Sequence, residues 1–274
     1  MAKLTRITTQ KKNKNRYNIF LDHGNGEEYS FSVDEDVLVK FRLQKNMELD
    51  KPTIEQMIQT DTVHKSFTLA LNYLSYRMRS EKEIRDYLKD KEVEEDHIEE
   101  VIRRLHEQNL LDDQEFANSL VRTRVMTSSK GPLLVKKELI EKGVAARQAE
   151  EALQFFPFDK QVEKALKSAQ KKMKSDRRKS WKQQIQNLQQ TLMQKGYQND
   201  VIQEVLANLP KDEQEEDTEW QAVVYQGEKL LRKFQSKYEG YELKQKVKTG
   251  LYRKGFTFDL IDLFMDEYLT EEDA

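Results

Sequence analysis

Residues Gly131 to Val144 read GPLLVKKELIEKGV, a helix with both of its ends written out. Pro132 fits a first helical turn, where its missing N–H leaves no hydrogen bond unmade. Val135 and Leu139 share one face. Lys142 then stands at the helix end, where a cation suits the negative pole of the helix dipole. Gly143 follows at the position that needs a left-handed backbone, which glycine adopts at little cost. Val144 falls five residues after Leu139, the spacing of the apolar contact that closes a Schellman motif.

The same punctuation recurs outward from this stretch. With Val93, Val144, Tyr197 and Phe256 as anchors, leucine stands five residues before each: Leu88, Leu139, Leu192 and Leu251. Nine before stand Ile84, Val135, Leu188 and Val247, and two before stand Lys91, Lys142, Lys195 and Lys254. Glycine directly precedes the last three anchors (Gly143, Gly196, Gly255), whereas Glu92 precedes the first, so that turn must close some other way. Downstream, Ile98, Ala149, Ile202 and Ile261 open a second apolar face. It continues through Val101, Ala152, Val205 and Phe264 to Leu105, Phe156, Leu209 and Tyr268. These spacings lie on one side of a helix. A third helix precedes each pair, carrying Phe67, Ala70, Leu71, Leu74 and Met78 in the first unit and Phe116, Leu120 and Val121 in the second. Val162, Ala165, Leu166, Ala169 and Met173 mark it in the third, and Trp220, Val224, Leu230, Leu231 and Phe234 in the fourth.

The pattern predicts a mostly α-helical protein of tandem three-helix repeats, stacked as an elongated curved array. The repeats are expected at 61–111, 112–157, 158–210 and 211–274, the last opening with the acidic, apolar-free linker Lys211 to Glu219. Ser80 with Glu83 fits a capping box. Residues 1–60 differ. Leu4 to Thr9, then Tyr17, Ile19 and Leu21, then Tyr29, Phe31 and Val33 predict a small three-stranded β-meander, with Gly24-Asn25-Gly26 as a tight turn. Asp34 predicts the N-cap of a short helix carrying Val37, Leu38 and Phe41. So small a sheet must pack on a helix to persist.

Of 274 residues, 35% are charged, with only 9 glycines and 4 prolines. That composition favours helices with broad solvated faces. The absence of cysteine excludes a disulfide scaffold, a thiolate metal site and a cysteine nucleophile. No stretch has the apolar length of a membrane span and no apolar leader opens the chain, so a cytoplasmic protein without membrane contact is expected. His23, His64, His97 and His106 have no ligand-like spacing, so no metal site is expected. Asp112-Asp113 stands before a helix and reads as an N-cap rather than a catalytic pair. No Walker A pattern is present, so the protein is not expected to hydrolyse ATP. Neither catalytic residues nor a cofactor are predicted.

The net charge of −2 hides a strong polarity. Glu81 to Glu115 carries 14 acidic and 6 basic residues, while Leu120 to Lys182 carries 17 basic and 7 acidic. Within the basic segment Lys160, Lys164, Lys167, Lys171 and Lys174 recur at helical spacing, followed by Arg177 and Arg178. Such a stripe can track phosphates without reading sequence, although a plain solvated helix face has the same pattern. Arg77 and Arg79 close the opening helix of the first repeat. Arg122 and Arg124 hold a similar place in the second, with Lys130, Lys136 and Lys137 beyond. These residues are the expected binding surface, with dipole complementation as the simpler account of some of them. Tyr73, Tyr76 and Tyr87 read as packing residues before base-stacking ones.

Two stretches resemble the RecX family of regulators of the RecA recombinase. One is ALNYLSYRMRSEKEIRDYL, ending at Leu88; the other is LDDQEFANSLVRTRVMTSSKGPLLVKKELIEKGV, from Leu111 to Val144. The resemblance is good from Ser66 to Phe158 and weaker through Pro210. RYNIFLD and FSVDEDVLVKF look like the N-terminal extension of the family's longer form. The resemblance implies a non-enzymatic, monomeric inhibitor that binds in the groove of RecA–single-stranded DNA filaments. It limits filament growth and RecA's recombinase and coprotease activities in homologous recombination, DNA repair and the SOS response. It also implies weak contact with single-stranded DNA and with double-stranded DNA. Two other readings fit the residues: a sequence-independent DNA-binding repeat protein acting on DNA alone, and a scaffold for helical partners.

Overall fold

The computed structural model describes residues 1–209 and 215–269, and side chains in the second stretch from residue 218 onward. The chain divides into two compact units. One comprises Met1–Phe116 with Lys142–Val144, and the other Ala117–Glu141 with Ala145–Ala274.

The first unit opens with strands β1 (Ala2–Thr9), β2 (Arg16–Asp22) and β3 (Glu27–Asp34), then helix α1 (Glu35–Lys40) and the two-residue strand β4 (Glu48–Leu49). The expected three-stranded meander is therefore a four-stranded antiparallel sheet of order β3-β2-β1-β4. Two residues are too few to show an alternation, which is why β4 left no mark in the sequence. Asp34 caps α1, accepting from the Asp36 N–H.

One face of the sheet buries Leu4, Ile19, Leu21 and Val33 against Val37 of α1 and Met57 of the long helix α2 (Lys51–Tyr76). An ion pair fixes that contact. Asp61, buried on α2, takes two hydrogen bonds from Arg16 at 3.2 and 2.8 Å and one from the Asp34 N–H at 2.8 Å. The expected boundary at residue 60 thus lies inside a helix. α2 serves the sheet with its first half, and with Val63, Phe67 and Ala70 it serves the first repeat.

That repeat is completed by α3 (Glu81–Asp90) and α4 (Glu95–Glu107). The second repeat has α5 (Asp113–Thr127), α6 (Pro132–Glu141) and α7 (Ala146–Ala152), and the third α8 (Phe158–Asp176), α9 (Trp181–Gln194) and α10 (Asn199–Ala207). The fourth has α11 (Glu215–Phe234), α12 (Gly240–Arg253) and α13 (Phe258–Tyr268). Residues 211–214 of the expected linker lie outside the described residues, and helix begins at Glu215, inside it. Among the described residues no helix is long and apolar enough to cross a membrane.

The helix ends have the geometry predicted for them. At α9 the Tyr197 N–H donates to the Leu192 carbonyl at 3.1 Å and the Gly196 N–H to that of Met193 at 2.9 Å, the paired bonds of a Schellman motif. Phe256 and Gly255 repeat them at α12. At α3, Val93 and Glu92 do the same, with Glu92 itself at φ +59°. The first turn is therefore closed in the same way as those of α9 and α12, by a non-glycine residue held in the left-handed region.

In the first three repeats the start of the second helix meets the end of the second helix of the next repeat. Ser80, N-cap of α3, donates its hydroxyl to the Lys142 carbonyl at 2.6 Å. The Gly131 N–H donates to the Lys195 carbonyl at 2.6 Å, and the Ser180 hydroxyl to that of Lys254 at 2.5 Å. The terminal carbonyls of one helix thus meet the capped N-terminus of another, so opposite dipole ends are joined. The approach is close: a Cβ on Gly131 would lie 2.5 Å from the Gly196 carbonyl group.

Candidate nucleic-acid interface

In the first repeat Arg77, the C-cap of α2, forks onto Glu83 at 3.1 and 2.9 Å. Lys142 reaches the same carboxylate at 2.6 Å. Burial opposes ionisation of Glu83, but the hydrogen bonds from Arg77 and Lys142 outweigh it and hold the carboxyl at about 2. Glu83 also completes the capping box with Ser80. Arg77 is therefore a clasp for the helix start. Arg79 lies over the Tyr73 ring at 3.8 Å, and Tyr73 stacks on Tyr87 at 4.0 Å, while Tyr76 stays 85% exposed. The Asp112-Asp113 pair caps helices: Asp112 accepts from the N–H groups of Gln114 and Glu115, and Asp113 from that of Glu81.

In the second repeat Arg124 and Lys130 converge on Glu138. The hydrogen bonds from Arg124, 2.6 Å at the shortest, with that from Lys130 at 2.7 Å, hold this carboxyl at about 2 despite its burial. Lys136 pairs with Glu150, and Lys137 stands 3.8 Å from Glu141. Arg122 lies over the Phe155 ring at 4.0 Å.

The α8 lysines divide by environment. Glu163 takes both Lys160 and Lys167 at 2.8 Å, and their hydrogen bonds lower its carboxyl to about 2. Lys164 turns inward to the Val125 carbonyl at the end of α5. Burial, then repulsion from Lys167, lowers its ammonium below the ordinary lysine range. Lys171 and Lys174 are exposed.

Lys164, Lys167, Ser168 and Lys171 form one wall of a hollow of about 470 Å³, with Met126 at the end of α5 and Ser128 and Ser129 after it as the other. Lys195, the C-cap of α9, joins them and donates to the Ser168 hydroxyl at 3.3 Å. A second hollow, of about 300 Å³, lies one repeat on, between Arg177 and Arg178 at the end of α8 and Thr218, Gln221 and Tyr225 of α11. There Arg178 stands over the Tyr225 ring at 4.7 Å. Among the described residues no carboxylate lines either hollow. Both volumes are in or near the range of small-ligand clefts, about 300–1,000 Å³.

Four family models match the chain in order. The Regulatory protein RecX N-terminal domain covers residues 2–50, and the RecX first three-helix domain covers 67–105. The second three-helix domain covers 112–153, and the third matches twice, at 159–206 and 217–265. The chain belongs to the RecX family. A RecX regulatory protein of Oceanobacillus iheyensis is 49% identical over 99% of this chain and all of its own length. One of Halalkalibacterium halodurans is 47% identical over 97% of this chain and all of its own. A crystal structure of regulatory protein RecX superposes with a TM-score of 0.69 at 36% identity, covering 76% of this chain and 100% of the other. The double match of the third RecX domain accounts for the fourth repeat, first visible only as internal periodicity. RecX proteins carry the name of regulators, and this chain shares that coarse role.

On the RecX repeats the predicted basic residues have three kinds of surroundings, Lys167 sharing two of them, while Lys174 is exposed outside all three. Arg77, Arg124, Lys130, Lys136, Lys137, Lys160 and Lys167 are paired with carboxylates, and Arg79 and Arg122 lie on aromatic rings. Lys164, Lys167, Lys171, Arg177 and Arg178 line the two hollows. Lys195, Ser128, Ser129 and Ser168 are additions that sequence reasoning passed over, because Lys195 was already explained by its helix end.

Proposed function

We propose that the protein is a non-enzymatic inhibitor of the RecA recombinase. It binds in the groove of RecA–single-stranded DNA filaments and limits their growth, and with it recombinase and coprotease activity. The observation that carries this reading is the ordered run of RecX domains from residue 2 to residue 265. Tandem repeats joined helix end to helix start suit an extended partner, because each unit adds binding surface in register with the last. Mixing the protein with RecA, ATP and single-stranded DNA tests it. Loss of RecA's ATP hydrolysis at well below one molecule per RecA is expected, and no effect at any ratio overturns it. A second reading, binding to DNA alone, is favoured by the two hollows, which among the described residues are lined by cations and no carboxylate. It predicts an effect only once the protein saturates the DNA.

A further inference from the structure

The two hollows in the second unit have the same construction. In each, the end of one repeat's opening helix faces the side of the next repeat's opening helix. Residues 126–129 face α8, and Arg177 and Arg178 face α11. The first hollow is lined by four lysines, Lys164, Lys167, Lys171 and Lys195, and by Ser128, Ser129 and Ser168, of which Ser128 gives its hydroxyl to the Arg124 carbonyl. The nearby Glu163 answers Lys167, and Lys164 is spent on a backbone carbonyl. Lys171 and Lys195 remain, the latter with one hydrogen given to Ser168. Ammonium and hydroxyl donors spread around a hollow suit a tetrahedral oxyanion. An arginine fork grips either a carboxylate or a phosphate, so the lysine hollow is the one whose donor set points to the tetrahedral ion.

The second hollow adds arginines and an aromatic ring 37% exposed, Tyr225. An aromatic face beside cations is the arrangement on which unpaired bases stack while phosphates are held nearby. Recurrence one repeat apart argues for a chain of anions, since a single small ion needs only one site. We propose that these hollows are successive backbone-phosphate sites for one single strand of nucleic acid, with Lys171 and Lys195 holding one phosphate and Arg177 and Arg178 the next along the protein. This deepens the nucleic-acid side of the function proposed above and rests on that side alone.

The test uses the full chain and a fluorescent oligothymidylate at two salt concentrations. Lys171→Gln with Lys195→Gln, and separately Arg177→Gln with Arg178→Gln, should each weaken binding. Each should also make the log–log salt dependence shallower, by about 0.7 for every phosphate that is no longer neutralised. Lys45→Gln, an exposed charge beside the sheet, should leave both unchanged. Melting curves of all variants should match wild type, so that weaker binding reports the hollow itself. Wild-type affinity and slope in both double variants overturn the proposal. So does competition by polyglutamate as strong as by an unlabelled strand of equal charge, which assigns the hollows to acidic protein. Competition by pyrophosphate that disappears in the variants while strand binding persists also overturns it, leaving a small-anion site. Hollow-dependent strand binding without any effect on RecA leaves this proposal standing and removes the filament reading.

Discussion

Four residues stand at the same helix-ending position, Glu92, Gly143, Gly196 and Gly255, with φ of +59°, +89°, +83° and +87°. The backbone demand is shared, but only three of them meet it without a Cβ. Left-handed geometry costs a non-glycine residue about 1–2 kcal/mol, offset in part by the extra freedom glycine brings to the unfolded chain. Glu92→Gly should therefore raise stability, by up to about 1 kcal/mol, read as a higher melting temperature. A lower one would mean that the Glu92 side chain is worth more than the strain. Gly143→Val should do the reverse. Its Cβ would enter the left-handed region and also lie 2.5 Å from the Lys82 Cβ. A destabilisation of more than about 1 kcal/mol is expected, and an unchanged melting temperature would contradict the geometry.

At the scale of elements, legibility tracks the range of the interaction. Helix ends were visible because a left-handed turn leaves glycine in the local sequence. The joints were not visible, because Ser80 meets Lys142 across 62 positions and Ser180 meets Lys254 across 74. The length of α2 was hidden for another reason. Its apolar residues face the sheet at Ile54 and Met57 and the first repeat at Val63 and Phe67, so no single stripe runs through it. The joints also set a dependence on pH. Glu83 and Glu138 each clasp two cations and titrate at about 2, against an ordinary 4.5. A carboxyl depressed on folding contributes stability that is complete above the unfolded value and is lost as pH falls through the folded one. Melting temperature should therefore drop between about pH 4.5 and 2. Glu138→Gln should melt lower than wild type at neutral pH and fall less steeply below pH 4.5. Parallel curves for the two proteins would show that this clasp does not contribute.

Over the whole molecule a net charge of −2 is reached by segregation, and the two charged segments are wired differently. In the acidic one, Arg85 bridges Glu81 and Glu99, and Glu100 takes both Arg103 and Arg104, so its cations are consumed internally. In the basic one, Glu163 is the carboxylate set into the α8 stripe, at the spacings that capture Lys160 and Lys167. Those spacings were legible in the sequence, and they make the five lysines unequal. Replacing Lys160, Lys164, Lys167, Lys171 and Lys174 by glutamine keeps helix-compatible side chains, so stability should fall only by about 1 kcal/mol, for the lost Lys164 bond to the Val125 carbonyl. Binding to the RecA filament and to naked single-stranded DNA should weaken, with a shallower salt slope in both assays. Lys171→Gln with Lys174→Gln alone should reproduce most of that change. Lys160→Gln with Lys167→Gln should produce less, because both ammonium groups are already engaged by Glu163 and are not free to hold a phosphate. Equal effects from the two pairs would mean that the partner pulls Lys160 and Lys167 away from Glu163. If the fivefold variant binds both targets as wild type does, the stripe is a solvated helix face.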